Sequence, residues 1–420
     1  DIKIKDLSSK NEKKKKEIER NFKYIIKIGD FYFIDSAKLM KKRIIAIYTG
    51  NRAEFGMLSP IIKSISKHPK LEYRLIVSGA HLDKDYGLSK NEISQEGLEI
   101  YQEIDLEFGS ENEVSVVKSI GEGIIKITEA LIKIKPDIVL VGADRYEGFS
   151  AMISSTQLNI PTAHFEGGDV TLGGALDDSL RHAMTKLAHI HFTTNKDSMQ
   201  RVLNLGEEAH RVFNVGFPGN SKLQANELIP PKDLCEELSL DINKPLILFT
   251  QHSISTQADK SVDQIIPSLE ALNELADENN IQTIITYPNN DAGGIKIILK
   301  LKEFSAYCNS NIKIIPHLGH KKYHSLLSLC GHKGLGVCVG NSSSGIKETP
   351  IFSCPSVTIG KRQDGRLRAK NVISVDYNKD QIKNAIIKSL FDSNYRKECT
   401  NAINPYGDDD AGEVISNILS

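Results

Sequence analysis

Apolar positions along this chain follow two rhythms. Short continuous apolar runs, closed by Gly, Asp or Asn, read as strands buried on both faces. Stretches with apolar residues three and four apart read as helices with one buried stripe. Ile44–Tyr48 is a buried run, and Gly50 turns the chain after it. Leu75–Val77 is a second run, ending at SGAH, and Val116–Ile134 has helical spacing closed by Pro136. Strand Asp137–Val141, helix Ala151–Leu158, strand Pro161–Phe165, helix Ser179–Ala188, strand His191–Thr194, helix Ser198–Leu205 and strand Val212–Val215 follow. Alternation of this kind predicts a parallel sheet with helices on both faces.

The pattern then restarts. A connection near 217–230 leads to strand Leu246–Thr250, helix Asp263–Asn279 and strands Thr283–Tyr287 and Ile312–Ile315. Helix Tyr323–Leu329 and strands Gly336–Gly340, Ser356–Ile359 and Val372–Val375 complete it. The expected architecture is α/β with two Rossmann-like, doubly wound domains. They span residues 40–217 and 218–400, with a C-terminal helix in 401–420. Residues 1–39 differ: the run Lys13–Lys16 and the single apolar patch FKYIIKIGDFYFI suggest an extension formed by an arm or a short surface helix.

Composition narrows the function classes. With 420 residues, 40% hydrophobic and 25% charged, the chain has an ordinary globular balance and the length of two domains. Lys+Arg of 53 against Asp+Glu of 54 gives a formal net charge of −1, without the basic excess of a general nucleic-acid binder. Trp is absent, which argues against a stacking platform for single strands. No stretch approaches the ~18 apolar residues of a membrane span. The first residues lack the apolar core of a signal peptide, so a cytoplasmic location is expected. The six cysteines (235, 308, 330, 338, 354 and 399) form no C-x-x-C pair, and no His cluster joins them at zinc spacing. They are expected as reduced, mostly buried thiols, with no metal.

The polar motifs fall where the strands end, and ligands of doubly wound sheets sit beyond those carboxyl ends. Asn51-Arg52-Ala53-Glu54 follows the first strand; a Gly turn into a helix N-terminus suits an anion, and Arg52 adds a fork of donors. Neither G-x-G-x-x-G nor G-x-x-x-x-G-K-[ST] occurs at this turn, so no nicotinamide or Walker-type site is signalled and no cofactor is expected. Asp144-Arg145 ends the strand DIVLVGAD, and His164-Phe165-Glu166-Gly167-Gly168-Asp169 ends the next. Neighbouring carboxylates in one pocket can divide acid and base work. Asp177-Asp178 opens a helix carrying Arg181 and His182; alone it reads as a cap, but beside two other acidic motifs it reads as chemistry. In the second half, Gln251-His252-Ser253, Tyr287–Gly293, Asn341-Ser342-Ser343-Ser344-Gly345 with Glu348, and Lys361–Arg366 end successive strands.

Together these motifs resemble the hydrolysing UDP-N-acetylglucosamine 2-epimerase family of sialic- and legionaminic-acid-type sugar biosynthesis. The matching segments are YTGNRAEFG (48–56), GADRYE (142–147), HFEGGD (164–169), LDDSLRHAMTKLAHIHF (176–192), QHS (251–253), PNNDAG (288–293), GNSSSGIKE (340–348) and GKRQDGR (360–366). The tail NPYGDDDAGEVI (404–415) is similar too, and the likeness covers residues 40–415. Each motif is weak alone; their order and spacing carry the resemblance. It implies a GT-B type fold with the ligand in the interdomain cleft, a nucleotide-sugar substrate and a homo-oligomer, dimer or tetramer. The implied reaction removes the proton at carbon 2 while UDP leaves carbon 1, giving a 2-acetamidoglucal. Water then adds with inversion at carbon 2, yielding N-acetylmannosamine and UDP.

By the same resemblance Asp144, Glu166 and Asp177 match the acidic catalytic positions. Arg52, Arg145, His252, Asn289, Ser342, Ser343, Glu348 and Arg362 are expected around UDP, with Glu348 on the ribose and His252 at the phosphates. The segment DVTLGGALDD is longer than in animal-type members, which leaves the choice between Asp177 and Asp178 open, with Asp169 in reserve. The pattern is also similar to relatives acting on a UDP- or GDP-linked 2,4-diacetamido-2,4,6-trideoxy sugar. A GT-B glycosyltransferase explains the nucleotide motifs as well, but gives no reason for three acidic motifs around one sugar.

Overall fold

The computed structural model describes residues 3–4, 25–28, 31–34, 42–83, 88–106, 113–171, 175–220, 228–289, 291–407 and 410–420. The described parts of the N-terminal extension are strands rather than a helix. β1 (Lys3–Ile4), β2 (Ile25–Ile28) and β3 (Phe31–Ile34) pair antiparallel in the order β1-β3-β2. Their β-branched and aromatic residues favour a pleated surface.

In the first half, strands β4 (Arg43–Thr49), β5 (Leu71–Ser78), β6 (Ile100–Ile104), β7 (Ile138–Gly142), β8 (Thr162–Phe165), β9 (Ile190–Thr193) and β10 (Val212–Asn214) alternate with helices. These are α1 (Arg52–Lys67), α2 (Lys90–Gln95), α3 (Glu113–Ile134), α4 (Tyr146–Gln157), α5 (Ala175–Leu187) and α6 (Lys196–Asn204). The sheet order is β10-β9-β8-β7-β4-β5-β6, and every pairing is parallel. The central strands are apolar runs because helices cover both faces: β7 is buried at every residue. The hydrophobic pattern did not reveal β6, because this edge strand exposes alternate residues and carries polar ones there.

The second half repeats the plan. α7 (Pro231–Glu237), β11 (Leu246–Thr250), α8 (Ser261–Asn279), β12 (Gln282–Ile285), α9 (Gly294–Ser305), β13 (Ile312–Ile314), α10 (Gly319–Cys330), β14 (Gly336–Gly340), α11 (Ser344–Lys347), β15 (Ser356–Ile359), β16 (Val372–Val375), α12 (Lys379–Phe391) and α13 (Ser393–Thr400) follow in order. Its sheet runs β13-β12-β11-β14-β15-β16, again parallel throughout. The chain reverses direction across the sheet between β4 and β7 in one half and between β11 and β14 in the other. Ligands bind beyond the strand ends at such points.

The last helix, α14 (Ala411–Leu419), returns to the first half and packs on α1. Tyr406, Ala411, Ile415 and Leu419 are buried in the first-half core, and the Arg43 guanidinium donates to the Leu419 carbonyl at 2.6 Å. All six cysteines are free thiols; five are buried and Cys308 is half-buried. Among the described residues no helix is long and apolar enough to cross a membrane.

Candidate active site

The cleft between the halves is built from the ends of β4, β7 and β8 on one side and β11, β12, β14 and β15 on the other. It encloses a cavity of about 280 Å³.

After β4, Asn51 caps α1 by accepting from the Glu54 N–H at 3.0 Å, while Gly50 N–H donates to Glu54 Oε2 at 2.8 Å. This reciprocal cap fixes where α1 starts. Burial pushes the Glu54 carboxyl up to about 8, and nearby Glu147 adds to the effect. Arg52, the first residue of α1, donates to His317 Nδ1 from the second half, and His317 Nε2 contacts Glu92. A His that accepts at Nδ1 carries its proton on Nε2, which suits donation to Glu92.

After β7, Ala143 takes a left-handed turn with φ +59° and leads into Asp144. His164 holds this turn: its Nε2 donates to the Ala143 carbonyl at 2.8 Å. Burial pushes the His164 imidazole down to about 4, so it stays neutral. Asp144 accepts from Arg181, a guanidinium only 1% exposed. Arg181 also donates to Asp178 Oδ1 and to the Asp169 carbonyl, each at 2.7 Å. Asp178 thereby acts as a brace, its second oxygen accepting from the Thr171 N–H at 2.9 Å. Asp177 lies on α5, but its side chain is outside the described residues.

After β8, Glu166 sits at φ +69°, a costly conformation for a residue with a Cβ. Its N–H donates to the Phe192 carbonyl at 2.9 Å. The side chain accepts from Lys347, which belongs to the second half. Asp169 accepts from the same ammonium at 2.9 Å and pairs with Arg366 at 3.2 Å. Burial alone would raise the Asp169 carboxyl, but Arg366 and Lys347 outweigh it and hold the group below the usual range.

The second-half wall is organised around Asn341. Its side chain accepts from His252 N–H at 2.6 Å and donates to the His252 carbonyl at 2.8 Å. Arg362 and Gln363 donate to the Asn341 carbonyl at 3.2 and 2.8 Å. The Asn289 N–H donates to His252 Nδ1 at 3.0 Å, which leaves the imidazole proton on Nε2. Burial, then Arg362, pushes His252 down to about 3, so it is a neutral donor rather than a cation. Asp291 accepts from Arg145 at 2.8 Å across the cleft and faces Arg362 at 3.5 Å. These two arginines overcome the effect of burial and lower its carboxyl. Glu348 pairs with His324 at 3.0 Å.

Arg52, Asp144, Arg145, Glu166, His252, Asn289, Ser342, Ser343, Glu348 and Arg362 all line this one cavity. The structure adds residues that the sequence reading did not single out. Lys347 and Arg366 reach the acidic cluster from the second half, and Glu54 lies beneath the first turn. All three stand inside motifs quoted above, so their presence was legible; that Lys347 and Arg366 cross the cleft was not.

Residues 63–420 match the family model described as UDP-N-acetylglucosamine 2-epimerase. The GDP/UDP-N,N'-diacetylbacillosamine 2-epimerase (hydrolyzing) of Campylobacter jejuni is 34% identical over 339 residues, 81% of this chain and 86% of the relative. The UDP-N-acetylglucosamine 2-epimerase of Neisseria meningitidis serogroup B is 32% identical over 346 residues, 82% of this chain and 86% of the relative. Among solved structures, UDP-GlcNAc 2-epimerase from Neisseria meningitidis bound to UDP-GlcNAc has a TM-score of 0.76 at 18% identity, covering 90% of this chain and 99% of that one. At that identity the likeness speaks to the fold, two Rossmann-like halves of GT-B type.

Proposed function

Since the chain belongs to the UDP-N-acetylglucosamine 2-epimerase family, we propose that it is a hydrolysing 2-epimerase of a nucleoside-diphosphate-linked 2-acetamido sugar. One observation carries the reading: carboxylates and phosphate-type donors line a single cavity from opposite walls. The chemistry asks for both. A carbon-bound proton leaves only to a positioned base. The departing diphosphate gathers negative charge, which needs fixed donors. Asp144 and Glu166 divide the acid and base steps, with Asp177 the third acidic position. Arg362, His252 Nε2–H and the hydroxyls of Ser342 and Ser343 receive the diphosphate, with Asn289 beside them. Glu348 takes the ribose hydroxyls, and Arg52 and Arg145 close the cleft over the ligand.

The proton at carbon 2 passes to a carboxylate as the bond from carbon 1 to the diphosphate oxygen breaks. The product is a 2-acetamidoglucal and free nucleotide. Water adds at carbon 1, and a carboxylic acid returns a proton to carbon 2 from the other face. No hydride moves. Relatives named for UDP-N-acetylglucosamine and for N,N'-diacetylbacillosamine are similar to this chain to nearly the same degree, at 32% and 34% identity. Their sugars share the reacting carbons and differ at carbons 4 and 6, so both belong in the test.

The test is proton NMR of the full chain in deuterated water with UDP-N-acetylglucosamine and with UDP- and GDP-N,N'-diacetylbacillosamine. Free 2-epimerised sugar bearing deuterium at carbon 2, with nucleotide released, is expected from at least one. Exchange without release would make the enzyme non-hydrolysing. Silence on all three, with an acceptor-dependent transfer, would make it a glycosyltransferase.

A further inference from the structure

Lys347 is 2% exposed, one of the two largest fully buried cationic side chains of the described residues, the other being Arg181. Its ammonium donates to Glu166 and, at 2.9 Å, to Asp169. It also lies 5.2 Å from the centre of the Phe217 ring and 5.6 Å from that of Tyr406. Its carbonyl accepts from the Asn404 side chain at 3.0 Å, so its backbone is tied as well. A buried ion pair is weak evidence for stability, because apolar replacements of similar volume are often neutral. Why a cation stands here therefore needs another answer.

Its place in the chain supplies one. Ser342 and Ser343 precede it, Glu348 follows it, and all three line the wall assigned above to the nucleotide. Successive residues on a helical turn point about 100° apart. On this turn Glu348 faces His324, while Lys347 reaches the strand-end carboxylates of the other half. We propose that Lys347 is a positioning residue: it fixes the Glu166 carboxylate for proton transfer and ties that group to the segment 342–348 on the nucleotide wall. The inference rests on the epimerase reading above. By engaging one carboxylate oxygen, the ammonium sets the direction of the other. Lys347 transfers no proton to the sugar; Glu166 carries one of the two proton steps at carbon 2 and Asp144 the other. The acid–base group is complete only where the two halves meet.

The test compares wild type, Lys347→Met, Lys347→Arg, Glu166→Gln and the double variant Lys347→Met/Glu166→Gln as full chains. Turnover and carbon 2 deuterium exchange are followed by NMR, and UDP affinity by calorimetry. Lys347→Met should lose kcat by on the order of 10²-fold, with UDP affinity unchanged within about three-fold. Lys347→Arg, which keeps the charge, should recover at least about ten-fold of that loss. The double variant should be no slower than Glu166→Gln alone, because two groups acting as one unit are non-additive. Near-normal turnover in Lys347→Met, a loss confined to KM and UDP affinity, or losses that multiply in the double variant would each overturn the assignment. Should Lys347→Met not fold, two comparisons decide. Lys347→Arg should keep at least about a tenth of wild-type kcat, and the double variant should be no slower than Glu166→Gln alone. A Lys347→Arg loss confined to KM and UDP affinity, or a further loss in the double variant, would overturn the assignment. A wild-type chain silent on every nucleotide sugar would sink the epimerase reading and this inference with it. An active wild type with an indifferent Lys347 sinks only the latter.

Discussion

Asp144 and Glu166 are each held by a cation that also holds something else. Arg181 joins Asp144, Asp178 and the Asp169 carbonyl, while Lys347 joins Glu166 and Asp169. Removing the charge of an acid–base group while keeping its shape should leave the fold intact. Asp144→Asn and Glu166→Gln are expected to bind UDP normally yet lose turnover by on the order of 10²-fold. Turnover near wild type in both would contradict their assignment. Arg362 lies on the second-half wall and is proposed to meet the diphosphate, so Arg362→Ala should raise KM and weaken UDP binding, with a smaller effect on kcat. A pure kcat defect would contradict that role.

Helices and strands set these residues by where they stop. The turn after β8 opens on Glu166 at positive φ and continues through Gly168, itself at φ +74°. A Cβ on Gly168 would lie 2.2 Å from the Ser198 carbonyl oxygen. On the other wall, Gly340 ends β14 at φ +133°, and a Cβ there would lie 1.8 Å from the Thr250 carbonyl oxygen. Either turn admits only glycine, for conformation and for space. Gly340→Ala should destabilise by about 3 kcal/mol or more, combining strain and overpacking. A chemical denaturation midpoint equal to wild type would refute this. The strand ends were legible because apolar runs stop there and Gly, Asp and Asn begin. β6 was not, because an edge strand half in water lacks the apolar run that marks the others.

At the scale of the molecule, neutral histidines buried in and around the cleft couple fold to pH. His81 and His164 are pushed down to about 4 and His252 to about 3, burial being the main cause in each. Unfolded, they would titrate near the ordinary value of ~6.5. The unfolded chain therefore binds protons that the fold refuses. Their contribution is intact above pH ~6.5 and is lost as pH falls toward 4, on the order of 2 kcal/mol each by pH 5. Urea midpoints measured at pH 7 and pH 5 should fall accordingly; equal midpoints would contradict the burial of these rings as neutral groups.

The two-fold alternation of apolar runs and helical spacing already determined two doubly wound sheets, because buried parallel strands must be apolar throughout. The same strand ends carried the polar residues that now line the cavity. Sequence alone could not say which of them face each other. Arg145 meets Asp291, Arg52 meets His317, and Lys347 and Arg366 meet Asp169 only through the approach of two halves separated by long stretches of chain. A hydrophobic pattern records which face of an element is buried, and nothing in it encodes the partner of a polar side chain at a strand end. That partnership depends on the relative placement of the two sheets, and only the tertiary structure decides it.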